Sequence, residues 1–180
     1  MGILTLVGAM GSGKSTVARK LSKRWSHAGY TAIDLDRAIE ERTGAGIPLI
    51  FAVEGEAGFR RWETETLRAV LDAATEQGQR TILSLGGGTP CQPGAMDAVL
   101  AAGPVIWLKA PAEVLARRAL GGAGRPLLAG MDLPQATRFL EDQLVVRAPF
   151  YERAHLTLDA AAGASVVVSA ITQTYDPEIL

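Results

Sequence analysis

The order of apolar and amphipathic segments predicts an α/β fold built on a parallel central sheet. Short apolar runs alternate with longer amphipathic ones along the 180 residues, as strands buried on both faces alternate with the helices that cover them. Prolines fall where a first helical turn tolerates them, at Pro93, Pro134 and Pro111. Ligands of such folds bind beyond the C-terminal ends of the strands, so the residues that follow each strand are the ones to inspect.

The five strands read as Ile3–Val7, Thr31–Asp34, Thr81–Leu85, Val105–Leu108 and His155–Leu158, each a short apolar run bounded by turn or polar residues. Between and after them, apolar residues recur at helical spacing over Lys14–Trp25, Gly58–Thr75, Pro93–Ala101, Ala112–Ala119, Pro134–Tyr151 and roughly Ser165–Thr174. No internal repeat or low-complexity tract interrupts this order, and one domain spanning 1–180 is expected.

The first strand runs into Gly8-Ala-Met-Gly-Ser-Gly-Lys-Ser-Thr16. Gly8-x4-Gly13-Lys14-Ser15 fits G-x-x-x-x-G-K-[ST], the P-loop, with the required strand before it and helix after it. The glycines let successive N–H groups converge on an anion, and the helix that follows adds its positive end. Gly11, Ser12, Gly13, Lys14, Ser15 and Thr16 are therefore the expected nucleotide-phosphate site. Lys14 supplies a mobile charge for the β and γ phosphates, and Ser15 a hydroxyl for Mg²⁺. The chain should bind a nucleoside triphosphate with Mg²⁺.

Composition narrows the class. A net charge of −1 argues against a broad nucleic-acid or anionic-membrane surface. No signal peptide or membrane-length apolar run is read, and the single cysteine, Cys91, has no internal partner. A cytoplasmic monomer is expected. The third strand ends in Gly86-Gly87-Gly88, where motors and switch proteins usually carry a magnesium-holding aspartate, and no guanine-reading N-K-x-D occurs. A small kinase is the leading class.

The acceptor site should follow the second and third strands. Asp34 and Asp36 are alternate residues of one extended segment and face the same way, one toward Mg²⁺ and one toward an acceptor hydroxyl; alternatively Asp36 caps a helix. Arg60 or Arg61 offers a two-point contact to a carboxylate, or is a plain surface arginine. Gly86, Gly87 and Gly88 permit close backbone approach, and Arg147 either faces the cleft or complements a helix end. Ala119–Gly130, with four glycines around Arg125, reads as a lid that closes over phosphate and excludes water. His27 and His155 lack ligand spacing, and Cys91 is read as a small residue without a catalytic role.

Taken together, "GAMGSGKST", "DLDRAIEERTG", Ile50-Phe51, "GEAGFRRWE", "LSLGGG", "GRPLL" and "VRAPFYERA" resemble the shikimate kinase family, in its order and spacing, over about residues 3–160. The resemblance implies transfer of a phosphoryl group from ATP to the 3-hydroxyl of shikimate, on the route to aromatic amino acids. It also implies a three-layer α/β/α fold with a five-stranded parallel sheet in the order 2-3-1-4-5. The substrate-binding segment would be about 34–63 and the lid about 119–131. By this resemblance Lys14, Asp36 and Arg125 are catalytic, and Ser15 and Asp34 hold Mg²⁺. Asp36, Arg60, Gly86, Gly87, Gly88 and Arg147 bind shikimate, and Arg118 packs on adenine. Thr89-Pro90 departs from the pattern, and the proline is expected to stiffen the loop. The rivals are a gluconate-type kinase and a non-catalytic nucleotide-binding module; the second would lack the lysine, the acceptor aspartate or the lid arginine, and all three are present.

Overall fold

The computed structural model describes residues 2–122 and 126–180. Five parallel strands, β1 (Ile3–Val7), β2 (Thr31–Asp34), β3 (Thr81–Ser84), β4 (Val105–Lys109) and β5 (Leu156–Asp159), form one sheet in the order β2-β3-β1-β4-β5. Ile3 pairs with Thr81, Thr5 with Val105, Ile33 with Leu83 and Leu108 with Leu158. The central strand is buried at all five positions, as a parallel strand covered on both faces must be, while the edge strands β2 and β5 are partly exposed.

Among the described residues, seven α-helices flank the sheet: α1 (Lys14–Arg24), α2 (Leu35–Thr43), α3 (Ile47–Glu76), α4 (Ala95–Ala102), α5 (Ala112–Leu120), α6 (Leu133–Tyr151) and α7 (Ala164–Thr174). Period-two alternation splits the core between the faces. Leu4 and Leu6 of β1 join Val17, Leu21, Leu115 and Ile171 on one side. Ile3 and Val7 join Leu67, Leu71, Met96 and Val99 on the other. The three-layer architecture and the expected strand order are both observed. Among the described residues, no helix is long and apolar enough to cross a membrane.

Some boundaries differ from expectation, each for a local reason. β5 begins at Leu156, and just ahead of the ladder the Val105 N–H of β4 goes to the His155 side chain, whose Nδ1 accepts it at 3.0 Å. α4 begins at Ala95, since Gly94 takes φ 74° and ends the turn after Pro93. α3 starts eleven residues before Gly58, at Ile47, and is broken at Gly55 (φ 69°, ψ −171°). Glu54 bridges that break, accepting from Arg61 Nη2 at 2.5 Å and Trp62 Nε1 at 3.1 Å. α2 is capped by Asp34, whose carboxylate accepts the Arg37 N–H; Asp36 lies in its first turn and is not the cap.

Candidate active site

The loop between β1 and α1 takes its shape from glycine. Gly8, Gly11 and Gly13 have φ of 141°, 80° and 90°. A Cβ on Gly11 would stand 2.3 Å from the Leu115 carbonyl oxygen, so the α5 backbone closes directly over the loop. Gly11→Ala should therefore cost about 2–4 kcal/mol of stability, from a left-handed backbone and overpacking together. Urea denaturation checks this; an unchanged midpoint would mean the loop is free to shift.

Lys14 is buried, and its ammonium donates to the carbonyls of Gly8 (2.7 Å) and Ala9 (3.0 Å), so the charge is held at the loop. No side chain caps α1, which leaves its positive end facing the loop. The Ser15 hydroxyl donates to Asp34 Oδ2, bringing a hydroxyl and a carboxylate oxygen together where the loop meets β2. Ser12 is buried and Thr16 is exposed on the first turn of α1.

The triple glycine is the meeting point of the acceptor side. None of the three has a positive φ, so they are there for space. A Cβ on Gly86 would lie 2.9 Å from Asp36 Oδ1 and 3.0 Å from Thr89 Oγ1. One on Gly87 would lie 3.0 Å from Arg147 Nη1, and one on Gly88 3.2 Å from Arg60 Nη1. Residues from α2, α3 and α6 thus converge on three consecutive backbone positions. Burial and the nearby charges of Asp34, Glu63 and Glu40, partly offset by Lys14, push Asp36 up to about 6. A carboxylate so placed is a better proton acceptor than an ordinary one.

The two arginines of α3 turn to different partners. Arg61 pairs with Glu54 and is exposed, whereas Arg60 turns to the glycines. Arg60 donates from Nη1 to Glu63 at 2.8 Å, and its guanidinium lies 5.3 Å from the Phe59 ring centroid. Glu63 is 1% exposed and was not singled out from the sequence. The signal was there: Phe59, Glu63, Leu67 and Leu71 occupy one face at four-residue spacing, so the glutamate interrupts an apolar stripe. Tyr151, one turn after Arg147, was also missed. It is fully buried, packs at 5.7 Å on Trp107 and donates its hydroxyl to the Gly87 carbonyl, and burial pushes it up to about 12.

On the nucleotide side, Arg118 donates to the carbonyls of Ala160 (2.8 Å) and Ala161 (3.1 Å), tying α5 to the loop after β5. Arg125 and part of the expected lid lie outside the described residues.

The family model for shikimate kinase matches residues 10–176. A shikimate kinase of Mycobacterium avium is 46% identical over 149 residues, covering 83% of this chain and 78% of the relative. The crystal structure of shikimate kinase from Bacteroides thetaiotaomicron superposes with a TM-score of 0.86 at 29% identity, covering 96% and 97% of the two chains. Shikimate kinase from Acinetobacter baumannii in complex with shikimate gives a TM-score of 0.80 at 33% identity, covering 97% and 94%.

Proposed function

The chain belongs to the shikimate kinase family, and from that premise we propose how its cleft carries the γ-phosphoryl group of ATP to the 3-hydroxyl of shikimate. The observation that bears most weight is the convergence of Asp36, Arg60 and Arg147 on Gly86–Gly88. Shikimate is a small ring with three hydroxyls and a carboxylate. A paired set of guanidiniums, a carboxylate acceptor and a bare stretch of backbone are what such a ligand needs.

Arg60 and Arg147 grip the carboxylate, and the Gly87 backbone, braced by the Tyr151 hydroxyl, supports the ring. Asp36 accepts the hydrogen bond of the attacking hydroxyl and takes its proton as the new P–O bond forms. The bond from the γ-phosphorus to the β-phosphate oxygen breaks, and ADP leaves. Lys14 offers its charge to the β and γ phosphates. Ser15 and Asp34 supply hard oxygen donors suited to Mg²⁺, with phosphate and water expected to complete its shell. That ion, when bound, neutralises phosphate charge. Arg118 packs on adenine, and Arg125 serves as the lid cation. The chain works as a single kinase domain, with about 34–63 as the acceptor segment and about 119–131 as the lid. We assign it to the cytoplasm as a monomer.

ADP release measured with Mg·ATP and shikimate, gluconate, AMP or no acceptor tests the reading. Release dependent on shikimate alone is expected. Release with gluconate or AMP instead would overturn the acceptor assignment and leave the phosphate loop intact.

A further inference from the structure

We propose that Thr89 is a positioning residue for the acceptor carboxylate, acting through Glu63 on Arg60. The inference rests on shikimate being the acceptor. Thr89-Pro90 opens a tight turn over residues 89–91, in which the Thr89 N–H bonds the Gly86 carbonyl at 3.2 Å and the Cys91 N–H bonds that of Gly88 at 3.1 Å. Proline holds its own φ near the value the turn needs, so the expected stiffening falls on the turn that Thr89 opens. Thr89 is 1% exposed, and its hydroxyl donates to Glu63 Oε1 at 2.5 Å.

The other oxygen of Glu63, Oε2, accepts from Arg60 Nη1 at 2.8 Å. The carboxylate is thus divided, one oxygen to each partner, and its plane is set. That plane in turn sets Arg60, whose Nη1 and Nη2 face Gly88. The rest of the guanidinium is loosely held among the described residues: Nη2 reaches only the exposed Glu56 at 3.2 Å, and Nε is buried without a hydrogen-bond partner. Remove the hydroxyl and Glu63 Oε1 is left buried with no donor. A carboxylate in that state turns to take a second hydrogen from the arginine, and the guanidinium turns with it. Arg60 then no longer presents its fork to the substrate. Among the described residues, Thr89 makes no hydrogen bond to the nucleotide loop or to Asp36, so turnover of bound substrate should be spared.

Steady-state kinetics on Thr89→Val, Thr89→Ser and the Glu63→Gln background test this. Thr89→Val, with the same shape and no hydroxyl, should raise KM for shikimate about tenfold. Its kcat and its KM for ATP should stay within about twofold. Thr89→Ser should restore the wild-type KM. In Glu63→Gln the Thr89→Val change should add less than about twofold, because the two act through one carboxylate. A Thr89→Ser enzyme as impaired as Thr89→Val, a loss confined to kcat, or full additivity with Glu63→Gln would overturn the proposal. If Thr89→Val does not fold, Thr89→Ala takes its place in the same comparison. A wild type idle with shikimate overturns the acceptor assignment and this inference with it; an active wild type with an unchanged Thr89→Val overturns this inference alone.

Discussion

Asp36→Asn should keep nucleotide binding and lower kcat by about 10²–10⁴-fold, the usual worth of a positioned general base. The side chain keeps its volume and its place in the first turn of α2; only the ability to take the proton is lost. Near-normal turnover would remove Asp36 from the mechanism. The same substitution should stabilise the metal-free, nucleotide-free protein at neutral pH. Folding raises the Asp36 carboxyl from its ordinary 3.8 to about 6, chiefly by burial and then by the charge of Asp34. Between those values the unfolded chain has released the proton while the folded chain retains it. Stability therefore falls as pH rises through the window from about 4 to 6, and the deficit persists above it. With solvent screening allowed for, the deficit is about 1–3 kcal/mol. The neutral amide has no such dependence. Urea titrations of both proteins in a chelator, from pH 4 to 8, should show the difference between them opening across that window. A constant difference would mean Asp36 titrates normally.

Arg60→Ala and Arg147→Ala should each weaken shikimate binding by about 2–5 kcal/mol, as expected for one half of a buried charge pair. Their effects on folding should part company. Arg60 is the only cation paired with Glu63 among the described ion pairs, and Glu63 is 1% exposed. Truncating Arg60 strands that carboxylate in the core and should cost about 3–5 kcal/mol of stability. Arg147 is half-buried and leaves no such group behind, so Arg147→Ala should cost about 1 kcal/mol or less. Isothermal titration with shikimate and urea midpoints for the two variants separate the effects. Equal stability losses would mean that Glu63 finds another partner.

Local pattern carried most of the fold. Alternating apolar runs and helical faces named all five strands within one residue at their ends, because period-two and period-3.6 burial are written in consecutive residues. The phosphate loop was legible for the same reason: Gly8, Gly13, Lys14 and Ser15 act through the backbone of one continuous turn. The first half of α3 was not, since Gly46, Gly55 and Gly58 mask its period and the Glu54 bridge that spans the break is a side-chain contact.

The acceptor site needed three dimensions. Asp34 and Asp36 share a short segment, yet one caps α2 and meets Ser15 while the other faces Gly86; the helix turn between them separates what an extended strand would have aligned. Arg60 and Arg61 are neighbours in sequence, and helical phase alone sends one to the glycines and the other to Glu54. Most of all, Gly86–Gly88 looked like room for a ligand, and became the place where Asp36, Arg60 and Arg147 meet. Those residues lie between 28 and 60 positions from their glycines in the chain. Composition and motif name the parts of such a site, and only packing over that separation brings them to one stretch of backbone.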